Sequence, residues 1–417
     1  MKGFPAMLTE VSKRPVRLLL CSILLVFLSS CVAKDNAQAL PDAANTPGDR
    51  PSQLIAVDAP GEAQSPSSPP DGDFLSPQEA KPAPSAETEA TGTVSVIRAA
   101  GESEGKSEQE SEQESEQEAF SSSDSDGTIR LAFCGDILLS DHVLSAYDRA
   151  GNAGGILDDV LLQAGRDADL FIANEEFPFG TGGVPAPNKQ FTFRVPPERS
   201  AIFKELGIDL VTLANNHSLD YGRSCLQETF DALDRVSIDY IGAGSNLSRA
   251  MERKTYCIKG KTIGFLAASR VIPEFSWNAS KDQSGLFTTY DPTALIEEIR
   301  RAEDTCDFTV VYLHWGLERH TEPEAYQIEL AKQYIDAGAD LVIGAHPHVL
   351  QPVQTYRNVP IAYSLGNYLF GSSIPETMLL LADLSPDGGL RLSKIPASAV
   401  AGKTVSTGEE TVLFERP

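Results

Sequence analysis

The chain has 417 residues, with 34 Lys and Arg against 59 Asp and Glu, and its formal net charge is −25. Nucleic acid and anionic membrane surfaces are poor partners for such a chain, because binding a polyanion requires a basic patch and no run of Lys or Arg lies beyond the N-terminus. The charge is uneven: residues 1–30 carry +3, residues 31–127 carry −15 and residues 128–417 carry −13. The last segment is long enough to bury a sizeable core.

Residues 1–30 have the pattern of a bacterial lipoprotein signal peptide. Basic residues precede an apolar run at 18–28, which fits a secretory signal and has about half the length of a membrane-spanning helix. Residues 28–31 read Leu-Ser-Ser-Cys and resemble a lipobox, so we expect Cys31 to carry lipid. This predicts a cell-membrane lipoprotein on the extracytoplasmic face of a bacterium. The alternatives are an uncleaved anchor and an ordinary signal peptide.

Residues 31–127 are predicted to form a disordered acidic tether. The segment holds ten prolines and few aromatic residues, and residues 107–118 read SEQESEQESEQE. Such a composition cannot bury enough apolar surface to offset the entropy of ordering the chain. Its uniform negative charge favours an extended linker. It is either a spacer that holds a domain away from the membrane or a solvated tail with no binding role.

Residues 128–417 are predicted to form an α/β domain. Short β-branched runs alternate with amphipathic segments, a pattern typical of a largely parallel sheet with crossover helices. The predicted strands are 129–134, 169–173, 209–214, 239–241, 262–267, 308–313, 340–343 and 361–364, and the predicted helices are 141–150, 156–165, 197–206, 223–236, 292–304 and 323–337. A Ser-Pro-Asp-Gly-Gly turn at 385–389 indicates a C-terminal hairpin at 376–396.

Polar residues follow six of these strands at their carboxyl ends, where ligands bind in open α/β folds. They are Gly135-Asp136, Asn174-Glu175-Glu176, Asn215-Asn216-His217, His314, His346-Pro347-His348 and Asn367. A single histidine at a strand end is usually structural, but four of them beside carboxylates and amides favour a metal site. Mixed nitrogen and oxygen donors without thiolate suit one or two divalent ions, Mn, Fe or Zn more than Mg.

These residues resemble the CapA family of poly-gamma-glutamate capsule biosynthesis proteins, within the calcineurin-like metallophosphoesterase superfamily. The motifs lie between residues 130 and 370. They are Gly135-Asp136, Asn174-Glu175-Glu176, ANNHSLDYG at 214–222, HWGLE at 314–318, DAGADLVIGAHPHVLQP at 336–352 and YSLGNYLF at 363–370. The resemblance implies a four-layer α/β/β/α sandwich, whereas the strand pattern alone predicts only an α/β sheet.

The resemblance also implies a set of metal ligands. They are Asp136, Glu176, Asn216, His314, His346 and His348. Glu176 takes the place of the superfamily's bridging aspartate. His314 and His346 resemble ligands of one ion, and His348 resembles a ligand of the other.

Other residues are expected to act on the substrate. His217 resembles the histidine that protonates a leaving group, and Asp220 either orients it or caps the following helix. Lys189 and Arg194, in the loop after Glu176, either hold an anionic group or are ordinary surface cations.

The first motif departs from the superfamily pattern, which is usually Asp-x-His. Here Ile137 and Leu138 follow Asp136, so one of the two metal sites would lack a ligand. His142 is close in sequence, but it falls in the next predicted helix.

By resemblance, the function is synthesis or export of an anionic polymer, poly-gamma-glutamate, with a metal-dependent hydrolase-type site and membrane subunits of a polymer synthase as partners. Two alternatives stay open. One is a metallophosphoesterase that cleaves extracytoplasmic phosphate esters, and the other is a non-catalytic polymer-binding module. The first two functions require the same residues at the strand ends, so the sequence does not separate them.

Overall fold

The computed structural model describes residues 127–417. The predicted signal peptide, Cys31 and nearly all of the predicted tether lie outside the described residues. Within residues 127–417, no helix combines the length and the apolar character that crossing a membrane would require.

Strands and short helices alternate along the described part of the chain. In chain order the strands are β1 Ile129–Ile137, β2 Leu170–Glu175, β3 Leu210–Thr212, β4 Asp239–Ile241, β5 Ala243–Gly244, β6 Lys254–Ile258, β7 Lys261–Ser269, β8 Gly285–Leu286, β9 Phe308–His314, β10 Leu341–Ala345, β11 Val353–Tyr356, β12 Val359–Ala362, β13 Asn367–Leu369, β14 Ser373–Leu384, β15 Leu390–Val400, β16 Lys403–Ser406 and β17 Thr411–Arg416. The helices are α1 Asp141–Ala150, α2 Asp159–Arg166, α3 Ala201–Leu206, α4 Gly222–Arg235, α5 Leu247–Ala250, α6 Thr293–Glu303 and α7 Ala325–Asp336.

The described strands form two mixed sheets and a small β5–β8 pair. The first sheet has the order β16-β15-β14-β1-β2-β3-β4, with β13 beside β1 and β17 beside β15. The second has the order β11-β12-β10-β9-β7-β6. Strands β1 to β4 are parallel, as are β7, β9, β10 and β12. Antiparallel strands complete both sheets. The alternation predicted the parallel strands, and the turn at 385–389 predicted the antiparallel β14–β15 pair.

The two sheets pack face to face, and helices cover both outer faces. The side chains of β1 illustrate this layering. Leu131 and Phe133 enter the core between the sheets, whereas Ala132 and Cys134 face the helices. Such alternation with both faces buried is expected of a strand in an inner layer. Helices α1 to α4 cover the first sheet, and α6 and α7 cover the second. The fold is therefore the expected four-layer α/β/β/α sandwich.

Local signals set several boundaries. Helix α1 spans the predicted residues because the Ser140 side chain caps its N-terminus and Gly151 ends it in the left-handed conformation. The predicted C-terminal hairpin is present as β14 and β15, which pair antiparallel across the 385–389 turn. Both strands are longer than predicted: residues 373–374 of β14 pair with residues 399–400 of β15, and β16 pairs with β15 over residues 397–400.

Two glycines allow close backbone approaches at the site. A Cβ atom on Gly135 would lie 1.9 Å from the carbonyl oxygen of Gly366, and one on Gly344 would lie 2.0 Å from that of Tyr363. Only glycine fits at such distances. Because these residues immediately precede Asp136 and Ala345, the close approaches fix the backbone that presents the candidate ligands.

Candidate metal centre

The carboxyl ends of the two sheets meet at one rim, and all six predicted ligands lie there. From the first sheet come Asp136 in β1, Glu176 after β2 and Asn216 after β3. From the second come His314 at the end of β9 and the pair His346 and His348 after β10. All are buried except His348, whose side chain is 18% exposed.

Ligand atoms from these residues converge in two groups. Glu176, His346 and His348 form one group, and Asp136, Glu176 and His314 form the other, with the ligand atoms of each group within 4.8 Å of one another. Glu176 belongs to both, as expected of a bridging carboxylate. His348 also lies beside Asp136 of the other group, with its Nδ1 atom 3.3 Å from Oδ2 of Asp136. The pair that the resemblance implied for one ion, His314 and His346, has ring centroids 4.7 Å apart, and its assignment to one ion stays a prediction.

Asn216 lies beside the second group. Its Oδ1 atom is 2.8 Å from Nε2 of His314, and the same nitrogen is 3.5 Å from Oε1 of Glu176. The amide oxygen, the imidazole nitrogen and the carboxylate oxygen are therefore close enough together to share one ion.

Three buried atoms of the candidate ligands lack hydrogen-bond partners. They are both carboxylate oxygens of Glu176 and Nδ1 of His346. A fully buried carboxylate without a partner is costly, and buried polar groups in proteins are nearly always satisfied. A divalent cation between the two sheets would satisfy these atoms. The donor set, two carboxylates with imidazoles and an amide, therefore fits a divalent ion of the Mn, Fe or Zn type.

Burial and neighbouring charges separate the protonation states of these groups. Burial raises the pKa of Glu176, and the Asp136 carboxylate raises it further. Burial lowers the pKa of His314 well below its usual value and lowers that of His346 to about 4. Burial also opposes charge on His348, but the Glu176 and Asp136 carboxylates outweigh it and raise its pKa to about 10. His314 and His346 are therefore neutral near pH 7, the form that binds metal.

The backbone of the His346-Pro347-His348 segment is strained. His346 has φ 97° and His348 has φ 59°, in the left-handed region that residues other than glycine rarely adopt. Such a conformation costs about 1–3 kcal/mol per residue. In this conformation the two imidazoles lie on the same side of the rim, with ring centroids 5.9 Å apart.

His217 is held beside the candidate ligands by three neighbours. Its Nδ1 atom is 2.7 Å from Oδ2 of Asp220 and 2.8 Å from Nζ of Lys189, and Phe193 stacks on its ring at 4.4 Å between centroids. No side chain caps α4, whose N-cap is Tyr221. Of the two alternatives for Asp220, the structure therefore favours orientation of His217 over helix capping.

The two predicted substrate-binding cations are already engaged. The Lys189 side chain is 12% exposed and its ammonium donates to the Asp220 carboxylate and to the main-chain oxygen of Asn216. Arg194 is exposed, with its guanidinium 4.1 Å from the ring centroid of Tyr221. His142, which stands close to Asp136 in sequence, lies exposed in α1 and belongs to neither group of ligand atoms.

Three amides to which the sequence assigned no role contact the candidate ligands or one another. Asn174 donates to Oδ1 of Asp136 at 2.8 Å, and Asn215 donates to Oδ1 of Asn174 at 3.2 Å. Oδ1 of Asn367 is 2.8 Å from Nδ1 of His348. All three asparagines stand in the quoted motifs, and that position was the only signal for them. Glu175 is also buried without partners but lies outside both ligand groups.

Fold and rim together define a four-layer α/β/β/α domain with a candidate divalent-metal centre. The family described as "Bacterial capsule synthesis protein PGA_cap" matches residues 130–372. The chain belongs to this family, which confirms the resemblance to CapA proteins.

Two bacterial relatives are similar over about two thirds of this chain. The chain is 32% identical over 301 residues to "PGA biosynthesis protein CapA" of Bacillus subtilis (strain 168), covering 70% of this chain and 78% of the relative. It is 29% identical over 294 residues to "Capsule biosynthesis protein CapA" of Bacillus anthracis, covering 66% and 68%.

Among solved structures, the chain is similar to the calcineurin-like phosphoesterase YfkN from Bacillus subtilis. The TM-score is 0.38 at 16% sequence identity, over 69% of this chain and 90% of the other. A similarity of this size carries no argument about activity.

Proposed function

We propose that this chain is a membrane-anchored, extracytoplasmic component of poly-gamma-glutamate synthesis or export with a metal-dependent hydrolase-type site. Membership of the capsule synthesis family supports a role in the synthesis or export of this polymer. The observation that carries the hydrolase-type site is Glu176, a fully buried carboxylate without a hydrogen-bond partner that belongs to both groups of candidate ligand atoms.

Bound at this rim, a divalent ion would act as a Lewis acid and lower the pKa of a water molecule. In a hydrolysis, the proton that the leaving group requires would come from the protein's own residues. Asp220 holds Nδ1 of His217, which leaves Nε2 as the atom that would deliver a proton to a leaving group. Burial lowers the pKa of His217, and the hydrogen bond that its imidazole donates to Asp220 opposes that shift.

An anionic polymer would approach a domain of like charge. Residues 128–417 carry −13, and a field of that sign repels a polyanion. Local positive charge must therefore offset it. We assign this role to a metal ion bound at the rim and to Arg194, which is exposed. Lys189 is not assigned this role, because its ammonium is paired with the Asp220 carboxylate.

The proposed anchor is lipid on Cys31, followed by the acidic tether that separates the domain from the membrane. Membrane subunits of a polymer synthase are the proposed partners. Replacing Cys31 by Ser should move the chain from the membrane fraction to the soluble fraction and abolish incorporation of a labelled fatty acid. A Cys31→Ser chain that is still labelled and membrane-bound would overturn the anchor.

The activity can be tested with the full chain loaded with Mn²⁺ or Zn²⁺ and given either poly-gamma-glutamate or a generic phosphodiester. We expect polymer cleavage that falls about 10²–10⁴-fold in His217→Ala, with the metal content unchanged. Turnover of the phosphodiester alone would assign the phosphoesterase function. Tight metal binding without turnover of either compound would assign the non-catalytic module, and less than about half an equivalent of metal after loading would remove the site altogether.

A further inference from the structure

Strand β1 supplies only one candidate ligand to the rim. Asp136 is followed by Ile137 and Leu138, which are both buried and apolar. Strand β13 lies beside this part of β1 in parallel, and its register pairs Asp136 with Asn367. Asn367 is thus placed beside Asp136, although the two residues are far apart in the sequence.

One imidazole nitrogen of His348 lies near the Asn367 amide oxygen and near both carboxylates. Nδ1 of His348 lies 2.8 Å from Oδ1 of Asn367, 3.3 Å from Oδ2 of Asp136 and 3.7 Å from Oε2 of Glu176. With metal–ligand bonds of about 2.1 Å, two donors of one ion lie about 3.0 Å apart at a right angle and about 4.2 Å apart when opposite. All three measured separations are compatible with one shared ion.

We propose that Oδ1 of Asn367 is a protein ligand of the ion held by Asp136, Glu176 and His348, and that it supplies the donor missing after Asp136. The unpartnered, fully buried oxygens of Glu176 point independently to a cation here. The resulting set of three oxygens and one imidazole is harder than a set with two imidazoles, and favours Mn²⁺ or Fe²⁺ over Zn²⁺. This inference rests on the proposed metal site and names a ligand within it.

A purely positioning role for Asn367 makes different predictions. In that case Oδ1 only accepts a hydrogen bond from His348, and residue 367 never touches the ion. A thiolate placed at 367 distinguishes the two roles, because it binds Co²⁺ directly and gives a sulfur-to-cobalt charge-transfer band only when it is a ligand.

The first experiment loads the full chain carrying Asn367→Cys with Co²⁺ and records its near-ultraviolet absorption. We expect a charge-transfer band that is absent from the wild-type chain. Asn215→Cys is the matched control, because Asn215 is another amide at the same rim, and it donates to Asn174 and to the main chain of Glu175. It should give no band. A folded Asn367→Cys chain with bound cobalt and no band would overturn the proposal.

The second experiment titrates metal-free chains with Mn²⁺ and counts the bound ions. Asn367→Leu keeps the side-chain shape but removes the donor, and should weaken one of the two sites by about 10–100-fold. Asn367→Asp keeps the donor and should bind at least as tightly as the wild type. Two ions bound to Asn367→Leu with wild-type affinity would overturn this inference alone. A wild-type chain that binds no Mn²⁺ or Co²⁺ would overturn the proposed function with it.

Discussion

The two sheets contribute different chemistry to one rim. The first sheet supplies oxygen donors, from Asp136, Glu176, Asn216 and Asn367, and the second supplies nitrogen donors, from His314, His346 and His348. Each half is electrostatically unfavourable by itself. Asp136 raises the pKa of Glu176 by repulsion, and His346 and His348 disfavour a charge on His314. The halves complement each other only when the sheets are packed, so the site is a property of the interface between the sheets.

A hydrogen bond beneath the site ties the two halves together. The hydroxyl of Tyr312, in β9, donates to the main-chain oxygen of Cys134, in β1, at 2.8 Å. Both groups are buried in the described structure. Below the rim, the apolar core between the sheets also holds the two sheets together. Changes that act on one half, on both halves or on this link should therefore have separable effects.

The largest effect is expected from filling the close approach in either half. Gly135→Ala and Gly344→Ala each place a Cβ within 2.0 Å of a main-chain oxygen, so the backbone must move. We expect about 3–5 kcal/mol of destabilisation, measured by urea unfolding. Gly371→Ala is the control, because a Cβ there meets no atom within 4 Å, and it should be close to neutral. Wild-type stability in both site variants would show that the halves are not held rigidly.

Next comes the residue common to both ligand groups. Glu176→Gln should weaken both ions by about 100-fold, equivalent to about 2.7 kcal/mol, as measured by titration and elemental analysis. Loss of one ion only would show that Glu176 belongs to one half of the site.

A smaller effect should follow from cutting the link between the sheets. Tyr312→Phe leaves the buried oxygen of Cys134 unsatisfied, which costs about 1–3 kcal/mol. Chemical denaturation should detect this loss, with Tyr356→Phe as the control, since that hydroxyl makes a long and exposed contact with Asp336. Equal stabilities of the two variants would contradict a structural role for the link.

The smallest effect is expected at the aromatic contact of the first sheet's loop. Phe193 stacks on His217, and such a contact contributes about 0.5–1.5 kcal/mol. Phe193→Leu should therefore lower turnover by about tenfold or less without changing the metal content. Phe191→Leu, in the same loop but 60% exposed, should behave as the wild type. A loss of metal in Phe193→Leu would place that ring in the ligand scaffold instead.

Local signals made much of the fold predictable. Helix α1 follows from Ser140 and Gly151 at its two ends, and the inner strands follow from β-branched runs buried on both faces. The three-residue strand β13 has no such signal. It is a strand only because it lies beside β1. In the same way, the short edge strands β11 and β16 are strands only because they pair with β12 and β15.

The location of the site was predictable from the sequence, but its individual contacts were not. Chemistry-bearing residues after each strand identified the rim, because parallel strands end at a common edge. The partner of each side chain was not predictable, since it depends on the packing of two sheets. The contact of Asn216 with His314, and the place of Asn367 beside Asp136, are set by contacts between distant parts of the chain.

The left-handed backbone at His346 and His348 has an evolutionary consequence. Glycine would relieve the strain at both positions, so the side chains needed for the chemistry are not those that the fold prefers. Descendants of this protein that drift without selection for the site should therefore lose these two imidazoles early, while the sandwich persists. Retention of both histidines in a diverged relative would accordingly be evidence that its rim is still in use.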